Sequence, residues 1–291
     1  MVRSPWNAAP KVEVWESLVI ELLLTISTFQ HPFNWDTLEA GQAGLQRIRQ
    51  GMSPELERVL ADLDLTGEKV HGWSALAAWT WKKRLREPEA AAAALADAPE
   101  WPADVRLRLA EAIRLWHRDL LAGQEADLRD RLHRAAVAKR RLAAHATVEQ
   151  LIEEATNGIV WRPQADVRRV VLVPNVAMSP WSNHERVGDT MLFTFPAVVE
   201  PTDPMERIQR LSWVLADRSR LAALRLLAER TMTLQELADE LGVRKSTMHH
   251  HLSLLRAAGL LRAPMGTKTY TLRRAPLDEL GGALQVFGRE R

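Results

Sequence analysis

Residues 237–262 read LADELGVRKSTMHHHLSLLRAAGLLR, and this stretch decides the reading of the C-terminal third of the chain. Just ahead of it, Thr233-Leu234-Gln235-Glu236 has the form of a capping box, in which a hydroxyl and a carboxylate three residues on satisfy each other's orphan N–H groups. Leu234, Leu237 and Leu241 recur at helical spacing, and Gly242 ends the short helix where a left-handed backbone is needed. Val243-Arg244-Lys245 makes the turn, Ser246 is placed to cap the next helix over 247–258, and Ala258-Gly259-Leu260 closes it. Met248, Leu252 and Leu255 define that helix's buried stripe. Neighbouring residues on a helix sit ~100° apart, so His249, His250 and His251 cannot converge on one metal ion. His249 and His250 point away from the stripe, and His251 lies at its margin.

Working outward, Leu260-Leu261-Arg262 and Lys268–Leu272 alternate as two strands around Pro264-Met265-Gly266. Upstream, 205–216 reads as a helix with Ile208, Leu211, Val214 and Leu215 spaced for burial, and Asp217 can cap a further helix through RSRLAALRLLAER. Short helix, glycine turn, second helix and hairpin follow the order of a winged helix-turn-helix.

These motifs, with GTKTYTL behind them and SWVLADRSRLAALRLLAE ahead, resemble the ArsR family of winged-helix transcriptional regulators over about 205–275. Where that family usually has aspartate-proline-threonine-arginine, this chain has Asp217-Arg218-Ser219-Arg220: the proline is missing, the cap and final arginine remain. The resemblance implies binding of double-stranded DNA, with the outward face of the second helix in the major groove. Arg244, Lys245, Ser246, Thr247, His249 and His250 are then the candidates for base edges and nearby phosphates. Arg262 and Lys268 of the wing, with Arg273 and Arg274, are candidates for phosphates. On the last helix Leu277, Leu280, Leu284 and Phe287 form an apolar stripe; in this family such a stripe pairs with helix one, here Leu211 and Leu215, across a two-fold homodimer. Packing within the same chain is the alternative. The family's thiolate metal site would fall in TLQELADEL, which has no cysteine or histidine, and its other metal site on the last helix finds Asp278 and Glu279 without a histidine. No metal and no cofactor are expected.

The remaining residues, 1–200, form a separate N-terminal domain in this reading, with the winged helix at 205–291 and a boundary at Glu200-Pro201-Thr202-Asp203-Pro204. Residues 12–157 are mostly helical in pattern, with a start at Ser53-Pro54-Glu55, a tryptophan-bearing helix at 72–85, an alanine-rich one at 88–98, long helices at 102–121 and 124–145, and another at 147–156 ended by Asn157-Gly158. IVWRP (159–163), VRRVVLVPN (167–175) and MLFTFPAVV (191–199) read as a small antiparallel sheet with a long loop at 176–190, and KVEVW (11–15) as a possible further strand. The fold class expected is α+β and mainly helical. Most of the eleven tryptophans precede residue 201 and could line an apolar cavity for a small apolar or aromatic effector, with core filling as the alternative. Trp73, Trp79 and His31 are the effector candidates, although His31 reads more readily as a helix-end histidine bonded to backbone carbonyls.

Composition excludes several classes. The absence of cysteine removes disulfides, thiolate metal sites and thiol catalysis, and fits a reducing cytoplasm. LVIELLLTISTF (18–29) is broken by Glu21 and shorter than the ~20 residues of a membrane span, so it is a buried helix; no signal-peptide pattern opens the chain. HRDL at 117–120 matches the start of a kinase catalytic loop, but lies in an amphipathic helix without the accompanying motifs, and no other catalytic constellation appears. Residues 201–291 carry fifteen Lys/Arg against ten Asp/Glu, a net +5, so the total of +2 leaves −3 on residues 1–200. The basic end suits an anionic partner. Together these features predict a non-enzymatic, homodimeric, sequence-specific DNA-binding regulator, most readily a repressor, with an N-terminal effector domain. A DNA-tethered protein-interaction scaffold without an effector is the alternative.

Overall fold

The computed structural model of the chain describes residues 9–30, 35–63, 72–197 and 204–287, which fall into two compact units. In the larger, β1 (Lys11–Val14) leads to α1 (Leu18–Gln30), α2 (Gly41–Gly51), α3 (Pro54–Ala61), α4 (Gly72–Lys82), α5 (Pro88–Ala96), α6 (Ala103–Trp116) and α7 (Glu125–Ala143). The chain then contributes α8 (Val148–Ala155) and β2 (Ile159–Val160) to the smaller unit and returns with β3 (Arg169–Asn175), β4 (His184–Val187) and β5 (Thr190–Pro196). α3 starts as its sequence dictates, with Pro54 in its first turn and Ser53 Oγ accepting the Leu56 N–H. Among the described residues no helix is long and apolar enough to cross a membrane.

The expected antiparallel sheet needs correction. Strand order is β1-β3-β5-β4, with β1, β3 and β5 mutually parallel and only β4 antiparallel. β3 and β5 are buried along nearly every residue rather than on alternate ones, the mark of strands covered on both faces, where parallel pairing is at home. One face packs Val171, Val173 and Leu192 against Ile20 and Leu24 of α1 and Ala77 and Trp81 of α4. β4 lies inside the segment read as a long loop. The HRDL segment forms a π-helical turn, His117–Leu121, after α6. There Asp119 accepts the Ser53 N–H at 3.1 Å and pairs with Arg118, which also reaches Glu55, so the segment pins the start of α3.

Glu21 is the buried acid of α1, its two carboxylate oxygens accepting the Val176 and Ala177 N–H groups at 2.8 and 2.7 Å. Burial outweighs those donors and the charge of Arg131, and pushes its pKa up from 4.5 to about 7. The folded state therefore holds a proton that the unfolded chain has lost between these values, so this group's contribution to stability is full below 4.5 and is lost as pH rises through 7. The stability difference between the native chain and Glu21→Gln should shrink by about 3 kcal/mol over that interval and then level off, read from urea midpoints across the range. A difference independent of pH would show that Glu21 titrates like an exposed acid.

The smaller unit continues with α9 (Pro204–Leu215), α10 (Arg218–Glu229), β6 (Met232–Thr233), α11 (Leu234–Glu240), α12 (Lys245–Ala257), β7 (Leu261–Pro264), β8 (Thr269–Leu272) and α13 (Ala275–Phe287). Its core joins Val214, Leu224, Leu227, Leu237, Met248, Leu252, Leu255 and Leu261. The hairpin β7–β8 is the wing, flanked by β6 on one side and, unexpectedly, by β2 on the other, in the order β2-β7-β8-β6. Ile159 and Val160, assigned by sequence to the N-terminal sheet, pair in parallel with Ala263 and Pro264 instead. The compact smaller unit thus takes in residues 142–165 as well as the winged helix, a division other than a single cut near 200.

Candidate nucleic-acid interface

The interface is built on local signals that the fold keeps. Asp217 Oδ1 accepts the Arg220 N–H and caps α10. The Arg220 guanidinium, buried, donates to the carbonyls of Val214 and Trp213 and so closes the end of α9. That accounts physically for an aspartate and an arginine at this step without the proline. Thr233 and Glu236 form the reciprocal capping box at α11, whose acid is held below the usual carboxylate range by the Thr233 N–H. Gly242 takes φ +63°, the left-handed turn into α12.

α12 starts at Lys245, earlier than expected. Arg244 occupies the cap position without a side-chain bond, so Ser246 lies inside the first turn and is not the cap. Met248, Leu252 and Leu255 are buried, whereas Arg244, Lys245, Ser246, Thr247, His249 and His250 are all exposed. The helix therefore offers one polar face with two imidazoles and its basic N-terminal turn on the same exposed side, a suitable donor set for base edges and phosphates. His251 is different. It is buried, its Nδ1 lies 3.8 Å from Asp217 Oδ1, and burial pulls its pKa below the ordinary range against the raising effect of that carboxylate.

The wing divides. Lys268 is exposed at the tip, while Arg262 Nε donates to Glu153 of α8 at 2.6 Å. Arg273 is buried, with Nη2 on Glu154 at 2.5 Å, Nε 3.5 Å from Glu153 and Nη1 on the Gly259 carbonyl. Arg274 remains exposed. Sequence reasoning had no signal for the α8 acids, because they stand more than a hundred residues from the wing.

Of the expected dimer residues, Leu211 is buried, and Leu215 and Leu277 pack on the core of their own chain. Leu280 is half-buried, Leu284 is 50% exposed, and the side chain of Phe287 lies outside the described residues. α13 packs against α9. An exposed apolar side chain that sequence reasoning missed is Trp213 of α9, 62% exposed, with the Arg220 guanidinium 5.5 Å from its ring centroid. It falls one residue off the buried helical stripe, which is the signal that could have found it. Met205, eight residues earlier, shares its helix face and is also exposed.

Of the effector candidates, Trp79 is buried and packs edge-on against Trp101 at 5.3 Å. The side chain of Trp73 and the whole of His31 lie outside the described residues. Among the described residues no cluster of three or more His, Asp or Glu side chains could hold a metal ion.

Comparison with known proteins agrees with this geometry at the motif. Residues 215–263 match the model of a helix-turn-helix domain family, spanning α10 to α12 and the start of the wing. Among solved structures, the chain is similar to an ArsR-like transcriptional regulator from Rhodococcus sp. RHA1, with 25% identity over 30% of this chain and 83% of that one and a TM-score of 0.28. It is also similar to NolR from Sinorhizobium fredii, with 26% identity over 31% of this chain and 98% of that one and a TM-score of 0.25. No curated protein matches the chain. The smaller unit carries a winged helix-turn-helix, a DNA-binding module.

Proposed function

We propose that the chain, carrying an ArsR-like winged helix-turn-helix, is a homodimeric, sequence-specific transcriptional regulator, acting most simply as a repressor. The observation that carries this reading is the exposed face of α12, where His249, His250 and the Arg244–Thr247 turn stand opposite the buried Met248, Leu252 and Leu255. Such a helix enters the major groove, and a two-fold dimer presents two of them to half-sites ~10 base pairs apart or a multiple of that. Support for the dimer comes from Trp213, Met205 and Leu284, large apolar side chains left exposed on α9 and α13 that a second copy would cover. Support for control by residues ahead of the winged helix comes from α8 and β2, which within the smaller unit grip the wing through strand pairing and ion pairs. An effector bound there would release DNA only by preferring the arrangement that cannot bind it.

The test is fluorescence anisotropy of the chain against the DNA upstream of its own gene and a scrambled duplex, at two salt concentrations. The upstream DNA should bind at least ~1,000-fold tighter, with affinity falling steeply as salt rises. Equal, weak binding to both would remove the sequence-specific reading.

A further inference from the structure

The larger unit gathers cations that the winged helix does not use. Lys11 and Arg169 are register partners across β1 and β3, and the Lys11 N–H donates to the Arg168 carbonyl at 2.9 Å. Arg84 and Arg169 both lie over the Trp81 ring, 5.4 and 5.7 Å from its centroid, and both are held by Glu13, Arg84 through two nitrogens. Arg84 reaches this position by taking φ +58° just beyond α4, a left-handed conformation that few side-chain-bearing residues adopt. Lys82 and Lys83 precede it, exposed. Cations at a helix C-terminus complement its dipole, which accounts for Lys82 and Lys83 but not for Lys11, Arg168 and Arg169, brought in by strands. Glu13 is the acid paired with Arg84 and Arg169 here, and the Asp189 carbonyl takes the Arg168 and Arg169 N–H groups. This basic face stands in a region, residues 1–200, whose net charge is −3 (the total of +2 less the +5 of residues 201–291).

We propose that this face is a second, sequence-independent contact for the phosphate backbone of duplex DNA, an inference that rests on the DNA-binding reading above. Two guanidiniums over one indole and tied to one carboxylate form the floor of this face. Around it Lys11, Lys82, Lys83 and Arg168 remain exposed, as phosphate contacts require. Duplex DNA is the polyanion this chain already has a module to bind, and tethering to that module raises its local concentration at the basic face.

The experiment compares the full chain with a quadruple variant, Lys11→Ser, Lys82→Ser, Lys83→Ser and Arg168→Ser, all at exposed positions. Anisotropy titrations over a range of salt use upstream and scrambled duplexes, with vesicles containing phosphatidylserine as a parallel ligand. Each lost phosphate contact lowers the slope of log affinity against log salt by about 0.9, so the variant's slope should fall by roughly 2 to 4 on both duplexes, the upstream-to-scrambled ratio staying unchanged. Binding by the native chain with the same slope in the variant overturns this proposal and leaves the DNA-binding reading standing. Vesicle binding lost in the variant, with the DNA slope unchanged, assigns the face to a membrane surface and also overturns it. No DNA binding by the native chain overturns both readings.

Discussion

Replacing His249 and His250 together with alanine should leave the smaller unit folded and lower the preference for the upstream DNA over a scrambled duplex by at least ~30-fold, since a good base contact is worth about 1–3 kcal/mol. Both imidazoles are exposed on α12, and the residues that hold the helix in place, Met248, Leu252 and Leu255, are untouched, so the thermal midpoint should move little. Binding to the scrambled duplex should fall much less, because the phosphate contacts proposed for Arg244, Lys245 and Lys268 do not depend on base identity. Anisotropy on both duplexes with a parallel thermal melt reads all three quantities. Unchanged discrimination would move base recognition away from this pair, towards Thr247 and the first turn of the helix. His251→Ala is the contrasting substitution: that side chain is buried beside the cap of α10, so its loss should appear in stability before it appears in specificity.

Gly158→Ala should destabilise the smaller unit by roughly 3 kcal/mol or more, placing it among the severe single substitutions. Gly158 holds φ +109°, and a Cβ added there would lie 2.0 Å from the Leu261 carbonyl oxygen, with its carbon at 3.1 Å and the Arg262 Cα at 3.5 Å. The obstruction is backbone, so no side-chain rotation relieves it. The Gly158 carbonyl accepts the Ala263 N–H at 2.8 Å and the Val160 carbonyl the Met265 N–H at 3.0 Å; the alanine would push this ladder apart and leave those groups unpaired. Calorimetry should report the loss, and hydrogen exchange at Ala263 and Met265 should accelerate beyond that of α12. Should stability change by less than ~1 kcal/mol with protection at Ala263 intact, the junction of β2 and the wing is looser than its geometry implies. If the N-terminal region governs DNA binding through this junction, the same substitution should also change operator affinity.

Much of the candidate interface was legible in the sequence because its signals are short-ranged. The Thr233–Glu236 box, the Asp217 cap, Gly242 and the Met248–Leu252–Leu255 stripe each lie within a few residues, and each appears in the structure as expected. Ser246 misled because a hydroxyl near a helix start suits either the cap or the first turn. The parallel pairing of β1, β3 and β5 was not legible: the runs at 167–175 and 191–199 read as antiparallel strands, because strand direction depends on which partner lies alongside, and that is not written in either segment.

What the sequence by itself determined is the winged helix-turn-helix and the outward placement of His249 and His250, since caps, turns and helical periodicity act between residues close in the chain. Tertiary structure alone decided that Ile159–Val160 joins the wing, that Glu153 and Glu154 take Arg262 and Arg273, and that Arg84 and Arg169 meet over Trp81. The physical reason is the same in each case. A strand of two residues or a lone ionic side chain has many acceptable partners, and only the packed chain, by bringing distant segments together, selects one.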